Sequence, residues 1–343
     1  MKKTEKIELR SLNQAELIAL VQRLGFEGYR GKQLHHWIYK KAVRSFDEMI
    51  NIPKDLLSSL KEISVLGGIK STELVESSDG TKKFIHTLYD DVQIQSVLMP
   101  EENRTTLCIS TQVGCPLNCS FCLTGKMGFR RNLTVSEIVD QVLYVRYYYV
   151  QHPLSMNVVV MGMGEPLLNV ANVIKALRLI VSPQDIGISP RRVTLSTVGI
   201  PDGLKILAKE DIGINLAISL HSAYQTKRSE IVPINKKYPI AEIMKELNQY
   251  PLPKSRRITF EYILLKGIND SLKDAGKLAK LLNNRRSKIN LILYNKIGDE
   301  RYRRPDEKTI EQFANFLRER NFTVAVRYSK GEDIKAACGQ LAL

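Results

Sequence analysis

Three thiols, Cys115, Cys119 and Cys122, stand at C-x3-C-x2-C spacing within eight residues, and a fourth, Cys108, precedes them by seven. Thiolates crowded so closely suit a soft metal centre, but three fall one short of the four that a closed zinc or iron–sulfur site takes. A missing protein ligand leaves a coordination position open, and open positions are where chemistry happens. A structural zinc site would want a second paired half such as C-x2-C or H-x3-H. The five histidines, His35, His36, His86, His152 and His221, include no such pair. A [4Fe–4S] cluster held by three cysteines would instead leave one iron free to chelate a small molecule.

A second candidate, Met161-Gly-Met-Gly164-Glu165-Pro166, follows directly on an apolar stretch. Glycines there let backbone approach a ligand closely, and the Glu165 carboxylate can accept hydrogen bonds from an ammonium. Ser196, Ser219, His221 and Asn295 fall at the ends of later apolar stretches. Singly each reads as a cap or turn residue; together they read as polar groups round one site. The fifth cysteine, Cys338, sits in Lys335-Ala-Ala-Cys-Gly-Gln-Leu341, where a lone thiol reads as a small hydrophobe. With Cys108 also outside the triad, however, the chain carries two spare thiols that could face one site.

From about residue 104 the sequence alternates strand and helix patterns. Candidate strands cover 105–111, 157–161, 192–197, 215–220, 258–264, 289–294 and 323–327, and the helix over 134–150 opens on a Thr134-x-x-Glu137 capping box. Repeated β-α units predict a parallel sheet or barrel. Parallel strands covered on both faces read as continuous apolar runs. Here Cys108, Ser110 and Gln112 share one face, as do Asn215, Ala217 and Ser219, and again Thr259 and Glu261. A full eight-stranded barrel fills its interior with branched apolar side chains. A polar inner face predicts a shorter, incomplete barrel whose lumen holds a ligand.

Ahead of the barrel, residues 1–70 carry helical periodicity over 14–24, 32–41 and 46–50, broken by Gly25-Phe-Glu-Gly28 and by Pro53. The segment from Gly31 to Lys41 mixes bases with Trp37 and Tyr39, as an RNA-binding face or a solvated basic side would. Residues 71–103 alternate apolar and polar with turns at Ser78-Asp79-Gly80 and Asp90-Asp91, a short antiparallel meander. Residues 104–343 form the barrel and its carboxy-terminal cysteine segment.

With 343 residues, 43% of them apolar, the chain can bury a large core, as one big domain and a smaller one. Met1-Lys-Lys-Thr-Glu-Lys-Ile-Glu8 has no apolar h-region, and no later stretch approaches membrane length, so no membrane is expected. Five clustered cysteines point to a reducing compartment, and the cytoplasm is the expected location. The charge is +15, with arginine doublets at 130–131, 191–192, 256–257, 285–286 and 303–304. Such an excess fits a polyanionic partner as well as simple solubility.

The motifs together carry a resemblance. They are Cys108 ahead of the triad, Thr124-Gly-Lys-Met-Gly-Phe-x-Arg-Asn-Leu-Thr134 after it, Met161-Gly-Met-Gly-Glu-Pro166, and Ser189-Pro-Arg-Arg-Val-Thr-Leu-Ser-Thr-Val-Gly199. Ser219-Leu220-His221-Ser222, Pro233-Ile-Asn235 and Ala337-Cys338-Gly-Gln-Leu341 complete the set. Over essentially the whole chain the sequence resembles the RlmN/Cfr family of radical-SAM RNA methyltransferases. The resemblance implies an α/β fold, an incomplete (βα)6 TIM-like barrel of the radical-SAM type with a small N-terminal helical domain and a short β meander. It implies a [4Fe–4S] cluster on Cys115, Cys119 and Cys122. It further implies S-adenosylmethionine (SAM), two per turnover, held by that cluster and by Gly164, Glu165, Ser196, Ser219, Leu220, His221 and Asn295. The implied partners are 23S rRNA (naked or early precursor), tRNA, and a flavodoxin- or ferredoxin-like electron donor.

The chemistry so implied is methylation of C2 of an adenosine in the peptidyl-transferase region of 23S rRNA, and of the adenosine next to the anticodon in some tRNAs. C2 is an electron-poor amidine carbon that cannot attack the SAM methyl directly. In the family's scheme Cys338 takes a methyl from one SAM, and a radical from a second SAM removes hydrogen from that methyl. The carbon radical then adds to adenine. Cys108 helps remove the C2 proton and releases product by forming a disulfide with Cys338. Pro166 after the glutamate resembles RlmN-like members; the rivals are a Cfr-like enzyme acting on C8 and a non-catalytic iron–sulfur or zinc RNA-binding protein. One departure stands out. Family members usually carry a glutamate assigned as a proton acceptor where this chain reads Gln95-Ser-Val. An amide is no base near neutral pH, so the role is not carried over, and Glu101, Glu102 or Cys108 would have to fill it.

Overall fold

The computed structural model describes residues 6–150, 156–283, 285–298 and 301–342. Met1 to Glu5 of the amino-terminal run, and His152, lie outside the described residues. The chain opens with β1 (Ile7–Glu8) and three helices, α1 (Gln14–Arg23), α2 (Gly28–His35) and α3 (Lys54–Ile63), and returns through β2 (Ser64–Val65), parallel to β1. An Asn13–Glu16 capping box starts α1, which buries Leu17, Leu20 and Val21 at helical spacing. The helix expected over 32–41 begins earlier and finishes in a π-helical turn, His36–Lys40, that buries Ile38 and Tyr39. The one expected over 46–50 is a single 3-10 turn, Phe46–Glu48. There the Glu48 carboxylate accepts from the backbone N–H groups of Arg44 and Ser45, each at 2.8 Å, and closes the turn on itself.

One ten-stranded sheet follows. Strands β3 (Ile69–Glu76), β4 (Lys82–Leu88), β5 (Gln93–Glu101) and β6 (Arg104–Cys108) run antiparallel. The meander therefore extends the barrel's own sheet, with Val97 opposite Cys108. After β6 comes a hairpin of β7 (Gln112–Gly114) and β8 (Phe129–Asn132), whose connection holds the cysteine triad and one short helix, α4 (Leu123–Lys126). Helix α5 (Val135–Tyr149) leads to β9 (Met156–Val160). Then come α6 (Val170–Val181), β10 (Val193–Thr197), α7 (Pro201–Lys209), β11 (Asn215–Ser219), α8 (Gln225–Ile231), α9 (Ile240–Gln249), β12 (Ile258–Leu264), α10 (Leu272–Leu282), β13 (Ser287–Leu293), α11 (Glu307–Arg318) and β14 (Thr323–Arg327).

From β6 onward each strand lies parallel beside its predecessor: six βα units and a last strand at the edge. The edges β14 and β3 do not pair, so the barrel stays open. Most of its helices bury one stripe, as α11 does with Ile310, Phe313, Ala314 and Leu317 at i, i+3, i+4 and i+7, whereas α5 is buried all round from Val135 to Leu143. The amino-terminal helices dock on α5 and the end of α6. Arg10 pairs with the buried Asp140, which also accepts from Gly68 N at 2.6 Å, and His35 Nε2 lies 2.7 Å from Asp185. Among the described residues no helix is long and apolar enough to cross a membrane.

The meander holds a neutral histidine. His86 is fully buried, with Nδ1 2.9 Å from Thr72 Oγ1 and Nε2 2.8 Å from Ser96 Oγ, and burial lowers it to about 3. The unfolded chain takes up this proton near the ordinary value of 6.5, where the folded chain does not. Its stabilising contribution is complete above pH 6.5 and is lost as pH falls toward 3. At one unit below 6.5 the loss is about 1 kcal/mol. Urea midpoints at pH 7 and pH 5.5 should therefore differ more in the wild type than in His86→Gln. Equal differences would show that His86 is not the group that titrates.

Candidate active site

The cysteine loop is pinned at both ends by backbone. Gly114 has φ +75°, and a Cβ there would fall 1.9 Å from the Gly128 carbonyl, so only glycine lets β7 close on β8. Cys115 N–H donates to that carbonyl at 2.8 Å, and Cys122 N–H donates to Cys119 O at 3.1 Å. Ser120 N–H donates to Ile231 O at 3.0 Å, while Tyr302 OH reaches Ser120 Oγ at 2.7 Å. From the far end of the chain, Gly339 O accepts from Leu123 N–H at 2.8 Å and Leu341 O accepts from Thr124 Oγ1 at 2.6 Å. The Cys338 segment is thus tied directly to the loop of the triad.

Burial, with mutual repulsion, pushes the Cys119 thiol far above the ordinary range and Cys115 up to about 12. Three thiols held this close need a positive centre before they can ionise together. Among the described residues no three Cys, His, Asp or Glu side chains converge on one point as a single-ion site requires. A cluster binds its ligands on different irons and asks for thiols spread round a larger body. The loop's donor set of three cysteines fits that group.

Below the loop opens a cavity of about 1090 Å³ whose wall includes Cys108, Cys122 and Cys338. All five cysteines are free thiols. Cys338 is exposed on the cavity wall, where desolvation by the surrounding walls and then the Glu261 carboxyl push it up to about 11. Cys108 is raised further, by burial and then by Cys338. Asn295, expected to touch SAM, uses both its polar atoms inside the protein. Its Nδ2 donates to Cys338 O at 3.0 Å and its Oδ1 accepts from Ser329 Oγ at 2.6 Å.

The other candidates gather at the carboxyl ends of β9 to β11. The Gly162–Glu165 backbone folds over the end of β6: Gly162 N–H donates to Ile109 O at 3.0 Å and Thr111 N–H to Met163 O at 2.8 Å. The strand expected over 105–111 accordingly ends at Cys108. Gly164, at φ +103°, would drive a Cβ to 2.8 Å from Gln112 N. Glu165 is buried, and its carboxylate accepts from Thr197 Oγ1 at 2.6 Å and from the backbone N–H groups of Leu167 and Val198, both at 3.0 Å. A carboxylate offers about four acceptor sites, so three are already filled and one is left for an ammonium.

Ser196 Oγ and Ser219 Oγ lie 3.2 Å apart. Leu220 is wholly buried and offers the site backbone only. His221, at φ +61°, accepts from Ile263 N–H at 3.1 Å and meets the Phe121 ring edge-on at 4.8 Å; burial lowers it to about 3. Sequence reasoning missed Arg228, which ties these strand ends together. It is fully buried and donates to Leu220 O (2.9 Å), Asn235 Oδ1 (2.6 Å), Val198 O (2.7 Å) and Ser219 O (3.2 Å). Burial lowers its guanidinium to about 10, so it remains a cation beside Cys119 and Glu165.

The opposite, amino-terminal end of the lumen is basic, with Arg104, Arg191, Arg192, Arg256, Arg257 and Lys288 on its wall. Not every arginine doublet serves such a surface. Arg131 is held by Asp90 and Glu137 at 2.8 Å, and Arg286 donates to Leu252 O and Pro253 O.

Residues 109–279 match the Radical SAM superfamily, and residues 7–66 match the Ribosomal RNA large subunit methyltransferase N-terminal domain. The chain is 46% identical over 325 residues to the "Probable dual-specificity RNA methyltransferase RlmN" of Thermus thermophilus, spanning 94% of this chain and 92% of the relative. It is 43% identical over 346 residues to the dual-specificity RNA methyltransferase RlmN of Desulfotalea psychrophila, spanning 98% and 95%. A crystal structure of a radical SAM methyltransferase from Sphaerobacter thermophilus superposes with a TM-score of 0.93 at 38% identity, over 98% of this chain and 99% of that one.

Proposed function

This chain belongs to the RlmN family of radical-SAM RNA methyltransferases, and we propose that it methylates C2 of an adenosine in the peptidyl-transferase region of 23S rRNA and of the adenosine next to the anticodon in tRNA. The observation that carries this reading is the pair of thiols outside the triad, Cys108 and Cys338, on one cavity wall with Cys122. Binding RNA alone has no use for them. Bound by Cys115, Cys119 and Cys122, the cluster with SAM supplies a radical able to take hydrogen from an S-methyl group. Cys338 carries that methyl, received from a first SAM, and joins it to the base as a thioether. Cys108 removes the C2 proton while the adduct radical gives up one electron to the redox partner; its thiolate then attacks Cys338 sulfur, the C–S bond breaks, the freed carbon takes a proton from solvent, and a thiol reductant reopens the resulting disulfide. Two SAM molecules are used per turnover, and a flavodoxin- or ferredoxin-like protein supplies the electron.

Backbone of Gly164, the Glu165 carboxylate, Ser196, Ser219, Leu220 and His221 line the place for SAM at the carboxyl ends of the strands, where such barrels keep their sites. Asn295 acts through Cys338, whose carbonyl it holds. RNA reaches the lumen from its arginine-lined end, and the amino-terminal helical unit adds a second contact. That unit exposes Tyr29, with Arg30 over its ring at 4.6 Å.

The test uses rRNA fragment, reductant and SAM with a deuterated methyl, followed by nucleoside digestion and mass spectrometry. The expected product is 2-methyladenosine carrying two deuterons on the new methyl. One deuteron is lost to the radical, and the position is refilled by a proton. Product matching only 8-methyladenosine would reassign the carbon. A methyl with all three deuterons would remove the thioether route altogether.

A further inference from the structure

Two buried polar side chains face the lumen without a role in the reaction described above. Glu261 on β12 and Asn290 on β13 are register partners in the parallel sheet, and both line the cavity that holds Cys108 and Cys338. Glu261 is 5% exposed and Asn290 8%. Asn290 Nδ2 donates to Glu261 Oε1 at 2.9 Å. Asn290 Oδ1 is buried with no hydrogen-bond partner. A buried acceptor left unpaired is costly and marks where a donor is to arrive. One step toward the basic end on the same strands stand Thr259 and Lys288, and beyond them Arg256 and Arg257. The lumen thus runs from a thiol, through an acid–amide pair, to cations.

Building on the RNA methyltransferase reading, we propose that Glu261 and Asn290 read the Watson–Crick edge of the target adenine, Asn290 Oδ1 accepting from the exocyclic amino group and the Glu261 carboxyl donating to ring N1. An enzyme that works on an extruded base recognises it by hydrogen bonds to that edge. Adenine there offers one donor, N6–H2, beside one acceptor, N1, and C2 is the next ring atom after N1. A group bound to N1 therefore sits next to the carbon to be methylated. Glu261 and Cys338 line the same cavity, as that position requires. Donation needs the neutral carboxyl. Burial pushes Glu261 up to about 7, against the opposing pull of Asn290, Arg327 and Lys288, so the acid form is accessible near neutral pH. A proton shared with N1 also draws electron density from C2 and favours attack by a carbon radical. Guanine would set O6 against Asn290 Oδ1 and N1–H against the acid proton, two mismatches at once. The cations at the arginine-lined mouth of the lumen are left for the flanking phosphates.

The experiment gives the full-length, cluster-loaded enzyme a 23S rRNA stem-loop in which the target nucleoside is adenosine, purine riboside (no amino group) or 1-deazaadenosine (no ring N1). For wild type, each analogue should lower kcat/KM by about 10- to 10²-fold, since the buried group that loses its partner is left unpaired. Asn290→Ala should react with adenosine and purine riboside within about threefold of each other. Because removing N1 also changes the reactivity of C2, the Glu261 arm is read as binding: by anisotropy Kd, Glu261→Ala should lose the preference for adenosine over 1-deazaadenosine that wild type shows. Glu261→Gln should keep it, because an amide N–H can still donate to N1.

Each comparison is a ratio within one variant, so partial loss of folding cancels. Where turnover is lost altogether, anisotropy Kd values for the same three RNAs supply the ratio. Methyl on Cys338, read by intact mass, should persist in all three variants. Wild type that methylates all three substrates alike, or Asn290→Ala that discriminates as wild type does, overturns the pair. So does Glu261→Gln behaving as Glu261→Ala, which would make Glu261 a base. If wild type fails to methylate the adenosine RNA at all, the methyltransferase reading fails instead.

Discussion

Cys338→Ala should lose methyl transfer to RNA completely while keeping its iron and sulfide. The segment that carries Cys338 is fixed by backbone to the triad loop, through Leu123 N–H to Gly339 O and Thr124 Oγ1 to Leu341 O, and neither bond involves the thiol. Asn295 likewise holds the Cys338 carbonyl rather than its side chain. Alanine therefore removes one sulfur atom from a cavity wall and leaves the frame standing. With no sulfur there, the thiol left on the cavity wall outside the triad is Cys108, which lies on the first barrel strand and is buried deeper. The loss should exceed the roughly 10²–10⁴-fold typical of removing an acid–base group, because a covalent carrier has no solvent substitute. Intact mass should show wild type heavier by one methyl and the variant not. Cys108→Ala should keep the methyl on Cys338 and accumulate protein joined to RNA, since the thioether forms but cannot be released. An active Cys338→Ala enzyme would end the covalent scheme and leave the fold assignment untouched.

Motifs that act through neighbours in sequence were readable, and those that act through distant partners were not. The triad spacing put three thiols in one loop without any tertiary knowledge, and the polar faces of 215–219 and 258–264 announced a lumen before a barrel was in view. Cys338 lies 216 residues beyond Cys122, and only its company with Cys108 suggested a shared site. Arg228 left no sign at all. In Gln-Thr-Lys-Arg-Ser-Glu-Ile it looks like one more solvated charge, and its burial depends on four oxygens: Val198 O just past β10, Ser219 O and Leu220 O at the end of β11, and Asn235 Oδ1 in the Pro233–Lys236 turn. Charge counting failed in the same way at Arg131, which is neutralised by Asp90 and Glu137 rather than offered to a partner. The meander read as a separate piece because local alternation says nothing about which edge a strand joins; only Val97 opposite Cys108 shows that it continues the barrel. Glu165 was legible as a carboxylate in the right place, but not as one already holding three donors.

Cys119→Ala should strip the protein of iron without unfolding it. Wild type purified anaerobically should be brown, with about four irons and four sulfides per chain; the variant should be colourless. The loop carries backbone bonds of its own. Its backbone bonds run from Cys115 to Gly128, from Ser120 to Ile231 and from Leu123 to Gly339, all independent of the cysteine sulfurs. Cys119 is the most enclosed of the triad, so its removal leaves a small apolar gap, costing no more than a shortened buried side chain usually does, about 1–3 kcal/mol. Circular dichroism and the melting transition of the metal-free forms should therefore stay close between variant and wild type. Activity, by contrast, should vanish, because two cysteines cannot keep a cluster that three already hold with one iron open. The controls are internal to the chain: Cys108→Ala and Cys338→Ala remove thiols from the same cavity and should each retain full iron. That contrast separates ligand from neighbour more sharply than activity does. A Cys119→Ala protein that keeps its iron, or a wild type holding one zinc and no acid-labile sulfide, would mean that the three thiols serve a different centre. The same result would leave Cys338 and Cys108 without the radical source on which their roles depend.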